Sequence, residues 1–167
     1  MAAVYRQKRF NRRVNALVTL VCFALVAVAV ALEHWAGMEP CPLCWFQRMA
    51  FVALGVVAAI GVIAPGWVVA GLGVLAAVSG VALAWRHLWL QSLPPSEVPA
   101  CGPGLDYMLE TFPLADAVAM ILSGSGECAE VDRVLGVSIP AWTLLAFLIL
   151  GTLMVLGNWR ARGSARS

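Results

Sequence analysis

The chain runs in long apolar blocks separated by short polar ones. Uncharged runs extend from Val14 to Leu32, from Met49 to Trp85 and from Val134 to Trp159. A membrane-spanning helix needs about 20 apolar residues, so the outer runs each hold one span and the middle run is long enough for two. Ala64-Pro65-Gly66 divides the middle run, because proline cannot continue a helix and glycine favours a turn. The pattern predicts an all-α membrane protein, a single domain over residues 1–167. Its four antiparallel helices fall at about 14–34, 44–64, 67–89 and 140–159. A short loop at about 35–43 and a long one at about 90–139 lie on one side of the membrane. In the long loop, Leu114, Ala117, Val118, Ile121 and Leu122 recur at helical spacing with Asp116 opposite, predicting a short helix that lies on the bilayer surface or packs on the span tops.

Composition agrees: 62% of residues are hydrophobic, 12% are charged, and mean hydropathy is +0.87. Charge sets the orientation. Arg6, Lys8, Arg9, Arg12 and Arg13 precede the first span, and Arg160, Arg162 and Arg166 follow the last. All nine acidic residues fall on the other side, within Glu33 to Glu39 and Glu97 to Asp132. The positive-inside rule then places both termini in the cytoplasm. The net charge of +2 reports this topology and gives no support to nucleic-acid binding. The first apolar run exceeds a signal-peptide core, so it is expected to remain as a span. Trp35, Trp45, Trp67, Trp89, Trp142 and Trp159 fall near span ends, as interfacial tryptophans do.

Five cysteines carry the candidate chemistry. Cys22 lies within the first span and reads as a packing residue. Cys41, Cys44, Cys101 and Cys128 all lie on the outer side, where an oxidising compartment pairs thiols. Three pairings are possible, of which Cys41–Cys44 with Cys101–Cys128 is the economical one. A staple closing the long loop would contribute about 3 kcal/mol. A Cys-x-x-Cys disulfide constrains little chain entropy and is typical of redox exchange. A zinc site built from the four sulfurs would lack a second such motif and would need two distant loops to converge, so no metal is expected.

Pro40 and Pro42 flank Cys41, so the second span is expected to start near Leu43 or Cys44. Cys44 then occupies the first helical turn, where free N–H groups favour a thiolate. Arg48 lies one turn deeper on the same face and adds a fixed positive charge; its plainer role would be to snorkel to the headgroups. Cys44 to Pro65 and Gly66 to His87 are equal lengths of chain, so two antiparallel helices return His87 to the depth of Cys44. There it is expected to donate a hydrogen bond to a bound carbonyl. No dinucleotide fingerprint and no haem-attachment motif is present. A lipid-soluble quinone, reaching this depth from the bilayer, suits Arg48 and His87.

These features resemble the disulfide bond formation protein B (DsbB) family of bacterial inner-membrane quinone reductases. The resemblance runs through the basic tail, the four spans, Cys41-Pro42-Leu43-Cys44 leading to Gln47-Arg48, Arg86-His87, Cys101, and Gly126-Glu127-Cys128-Ala129-Glu130 followed by Pro140-Ala141-Trp142. It implies a protein-dithiol:quinone oxidoreductase that reoxidises a periplasmic thioredoxin-like dithiol oxidase (DsbA) and reduces ubiquinone or menaquinone. A partner thiolate would attack Cys101 of a Cys101–Cys128 disulfide, and Cys128 would attack Cys41, releasing Cys44 toward quinone. Arg48 and His87 would stabilise charge on the ring oxygens. The long loop must then move to bring Cys128 to Cys41. Residue 47 is Gln where some members carry an acidic residue, and Cys22 has no family role. A vitamin K epoxide reductase-like enzyme places its quinone-facing pair late in the chain, unlike this one. A reductive conduit would place its cysteines within the spans, and a non-enzymatic anchor would be indifferent to loss of Cys44.

Overall fold

The structure, a computed structural model, describes residues 2–37, 40–100 and 105–159. Helix α1 covers Ala2–Ala36, α2 Pro42–Ile63, α3 Trp67–Gln91, α4 Leu105–Thr111, α5 Leu114–Ser123 and α6 Ile139–Trp159. Four of these, α1, α2, α3 and α6, are long and apolar enough to cross a membrane. They form the expected antiparallel bundle.

Helix α1 runs back through the basic segment because no glycine or proline interrupts Ala2 to Ala36, and it stops at Gly37, whose φ of +64° is the left-handed conformation that ends helices. Helix α2 starts earlier than expected. Cys41 is its N-cap and Pro42 its first residue, a position where proline's missing N–H costs no hydrogen bond.

The bundle closes through small residues. Gly73 lies against Met154, Gly80 against the Phe147 ring and Gly151 against Ala77, so α3 and α6 approach closely. Phe147 stacks on Phe51 of α2 with ring centroids 3.9 Å apart. Val18, Leu54, Ala58 and Met154 complete this core, and Cys22 is fully buried within it. Outward-facing residues such as Leu20, Ile63 and Leu75 remain exposed, which suits lipid as solvent.

At the end that holds the chain termini, Asn15 and Asn158 are fully buried and exchange hydrogen bonds at 3.2 and 3.0 Å, tying α1 to α6. Asn15 also reaches the Gly61 carbonyl of α2. At the other end, α5 packs Ala117 and Ile121 against Leu43 and Leu90 of the span tops, leaving Leu114 and Leu122 exposed. The apolar face it buries is therefore narrower than the sequence periodicity indicates. Arg86 holds the helix in place by donating to the Leu122 and Ser123 carbonyls, at 3.3 and 2.7 Å.

A 3-10 turn at Gly126–Ala129 follows, then an antiparallel pair that the sequence pattern did not reveal: β1, Arg133–Val134, with β2, Val137–Ser138. Leu135 and Gly136 both take positive φ, the two-residue turn that matches strand twist.

Candidate active site

The site forms where the tops of α2 and α3 meet the 3-10 turn. Because Cys41 caps α2, its sulfur accepts a hydrogen bond from the Cys44 amide at 3.4 Å. A first-turn N–H expected to favour a Cys44 thiolate is therefore directed at Cys41. The two sulfurs are free thiols 3.2 Å apart, Cys41 buried and Cys44 partly exposed.

His87 does return to this depth. Its ring is 3% exposed, with Nε2 3.8 Å from Cys41 Sγ and Nδ1 3.1 Å from Gln47 Nε2. Gln47 is equally buried, and its Oε1 accepts a 2.6 Å hydrogen bond from Thr143 Oγ1 on α6. Both sulfurs and the imidazole lie within 4.8 Å of one another, a donor set able to hold a thiophilic cation only while the thiols are reduced.

Cys128 is fully buried in the same cluster as Cys41, Leu43 and Leu90. Its thiol is pulled down to about 6, chiefly by a hydrogen bond from Cys41, with backbone hydrogen bonds at Ser125 and Leu43 in support and burial opposing. Cys41 is pushed up, first by its hydrogen bonds to Cys128 and Cys44 and then by burial. The second-loop cysteine thus shares a buried cluster with the first-loop pair. Its expected disulfide partner, Cys101, lies outside the described residues.

Arg48 is bound to α1. Its Nη1 donates to Glu33 Oε2 of α1 at 2.6 Å, its Nη2 reaches the Ala29 carbonyl at 3.4 Å, and its guanidinium sits 5.4 Å from the Trp45 ring centroid. Pairing lets a charge persist at a lipid boundary where an isolated one would be costly.

Beside this pair opens a cavity of about 590 Å³ between α1 and α6, a size that suits a small-molecule ligand. Its walls are apolar, with Leu25 and Ile149 typical. Cys44, Gln47, Arg48 and Glu33 meet at its head, and Asp132 and Leu135 of the hairpin segment border it. His87 is not among the lining residues. Gln47 engages the Nδ1 edge of the ring, and Nε2 lies 3.8 Å from Cys41 Sγ, with Cys44 Sγ also within 4.8 Å of a ring nitrogen.

Sequence reasoning missed Glu33 and Thr143 as site residues. Glu33 left one usable signal: an arginine at a span end calls for an acidic partner, and Glu33 is the first acidic residue after a span. Thr143 left none, since its role depends on how α6 packs on α2.

Comparison with known proteins gives a consistent result. Residues 11–157 match the family described as Disulfide bond formation protein DsbB. Relatives named Disulfide bond formation protein B include that of Chromohalobacter salexigens, 50% identical over 138 residues, which cover 78% of this chain and 80% of the relative. The Marinobacter nauticus protein is 47% identical over 161 residues, covering 91% and 96%. The Chromobacterium violaceum protein is 42% identical over 161 residues, covering 92% and 96%. With four apolar helices, a buried cluster of cysteines and these likenesses over most of its length, the chain belongs to the DsbB family of disulfide bond formation proteins.

Proposed function

We propose that the protein is a protein-dithiol:quinone oxidoreductase of a bacterial inner membrane. Its cysteine end faces the periplasm and its termini face the cytoplasm, in line with the charge asymmetry of the chain. It oxidises a thioredoxin-like dithiol oxidase of the DsbA type and delivers the electrons to membrane ubiquinone or menaquinone. In balance, a dithiol and a quinone become a disulfide and a quinol, two electrons and two protons passing between them.

The observation that carries this reading is the position of Cys44. It lies 3.2 Å from the Cys41 sulfur on one side and lines the lateral apolar cavity, together with Arg48, on the other. Cys41 in turn shares a buried cluster with Cys128, so sulfurs from both loops gather beside the cavity. In this reading, Cys101 is the sulfur for the partner thiolate to attack and Cys128 relays the exchange to Cys41. Disulfides Cys101–Cys128 and Cys41–Cys44 are the oxidised resting state. Each exchange forms one S–S bond and breaks another, with the electron pair leaving on the displaced sulfur. Cys44 is the electron donor to the cavity, and quinone bound there supplies the two-electron acceptor. Arg48 holds its cation at the cavity head for developing negative charge.

The test is turnover of purified protein with a reduced dithiol partner and quinone, followed by loss of the quinone ultraviolet band. Cys44→Ser is expected to abolish turnover, because no other thiol lines the cavity among the described residues. Undiminished quinone loss in that variant would overturn the assignment.

A further inference from the structure

We propose that Gln47 and Thr143 are positioning residues for thiol–disulfide exchange at Cys41, acting through His87. The inference rests on the thiol-oxidase reading and concerns the contacts that Gln47 and Thr143, which border the cavity, make through His87 to Cys41.

Its basis is a chain of contacts across three helices. The Thr143 hydroxyl of α6 lies 2.6 Å from Gln47 Oε1 of α2. An amide oxygen carries no proton, so with Oε1 turned to α6 the proton between these oxygens belongs to Thr143, and the amide nitrogen is left to face α3. The same hydroxyl lies 2.9 Å from the Pro140 carbonyl one turn back. The amide nitrogen of Gln47 then meets His87 Nδ1 at 3.1 Å. A donor there requires a lone pair on Nδ1, which puts the proton of the neutral ring on Nε2, the atom 3.8 Å from Cys41 Sγ. Gln47 and His87 are each 3% exposed, and burying a polar side chain so fully is costly unless its partners are fixed.

The chemistry follows from that tautomer. When a Cys128 thiolate attacks Cys41 of the Cys41–Cys44 disulfide, the 128–41 bond forms, the 41–44 bond breaks and the electron pair leaves on Cys44. When the mixed disulfide is then cleaved by a thiolate attacking the Cys128 sulfur, the pair leaves on Cys41. An Nε2–H donates a hydrogen bond to that anion without giving up its proton, so Cys41 departs readily and remains nucleophilic. The 41–44 bond re-forms from the two thiolates as two electrons pass to the quinone. With the proton on Nδ1, a ring lone pair would face the thiolate and repel it.

The titratable groups around Cys41 are Cys44 on α2, His87 on α3 and Cys128 on the 3-10 turn. The test therefore uses a background with Cys22→Ala, Cys44→Ser, Cys101→Ala and Cys128→Ala, leaving Cys41 the single thiol. Nitrogen NMR of labelled histidine in detergent reads the His87 tautomer, and iodoacetamide alkylation across pH reads Cys41. The proton is expected on Nε2. Gln47→Leu and Thr143→Val are expected to mix the tautomers, raise the pH midpoint of alkylation and slow it about tenfold at neutral pH, as loss of a hydrogen bond to a charged group would. Thr143→Ser is expected to restore all three. A proton on Nδ1 before any change at 47 or 143 overturns the proposal, as does an unchanged tautomer and pH midpoint in Gln47→Leu. Neither readout uses quinone, so a failure of the oxidase reading shows separately, as absence of quinone reduction by the unaltered protein.

Discussion

Two buried polar clusters sit at opposite ends of one bundle and differ in how they end. Near the termini, Asn15 and Asn158 exchange hydrogen bonds, and their remaining donors finish on the carbonyls of Asn11, Gly61 and Met154. Near the cysteines, the chain from Thr143 through Gln47 and His87 finishes on a sulfur, beside a second sulfur that lines a cavity. Both clusters use amide side chains to tie α6 to other helices in surroundings of low dielectric. A cluster closed on itself has nothing left to offer a substrate and acts as a lock. One that ends on a thiol holds a reactive atom rigidly while leaving it able to exchange bonds.

The contrast is tested hardest at the cavity head. Arg48→Ala leaves the Glu33 carboxylate unpaired where an acceptor would bind, and removing one partner of a part-buried charge pair costs more than the pair contributes. The expected loss in kcat/KM for quinone is on the order of tenfold to a hundredfold, chiefly in KM. The double variant Arg48→Ala/Glu33→Ala should recover part of that loss, because it leaves no orphan charge. Equal kinetics in the single and double variants would show that the two side chains are not coupled. Glu33→Gln keeps a hydrogen-bond acceptor for Arg48 and should change KM by less than the arginine variant does.

At the asparagine end the expected response is in stability. Asn158→Leu removes the reciprocal bonds and leaves the Asn15 amide short of a partner, at a cost of about 1 kcal/mol. Thermal unfolding in detergent should show it, while quinone turnover well below the transition stays unchanged. Asn15→Leu/Asn158→Leu should cost less than the sum of the two single variants, since neither amide is then orphaned. Strict additivity would mean that the two amides act independently.

How legible each end was in the sequence follows from the range of the interactions. The spans could be read because a bilayer needs long apolar runs, and the break at Pro65 follows from backbone chemistry alone. The Cys41/Cys44 pair and Arg48 could be read because Cys44 lies about one helical turn from each of the other two. The depth of His87 followed from counting residues on either side of the turn. The direction of its ring did not, because that depends on Gln47, whose amide is oriented from α6. The asparagine lock escaped notice for the same reason, as its members are far apart in sequence and meet only when α1 and α6 pack. The hairpin at 133–138 was hidden by its brevity, two residues per strand with Leu135 rather than Asn or Asp opening the turn.

The smallest expected effect concerns where one proton sits between Cys41 and Cys128. The folded protein lowers the Cys128 thiol to about 6 from an ordinary value of 9.0 and raises that of Cys41. For a depressed group, the stabilisation is present above the ordinary value and is lost as pH falls through the folded value. For a raised group, it is present below the ordinary value and is lost as pH rises through the folded one. Between about pH 6 and 9, therefore, in the reduced protein Cys41 keeps its proton and donates it in a hydrogen bond to a Cys128 anion. In protein carrying Cys22→Ala, Cys44→Ser and Cys101→Ala, the ultraviolet thiolate band should titrate with a midpoint near 6. Adding Cys41→Ala removes the main cause of the shift, and the midpoint should move up toward 9.0. A midpoint indifferent to Cys41 would mean that the two sulfurs do not share the proton, and the contact between the loops in the reduced protein would then be packing alone.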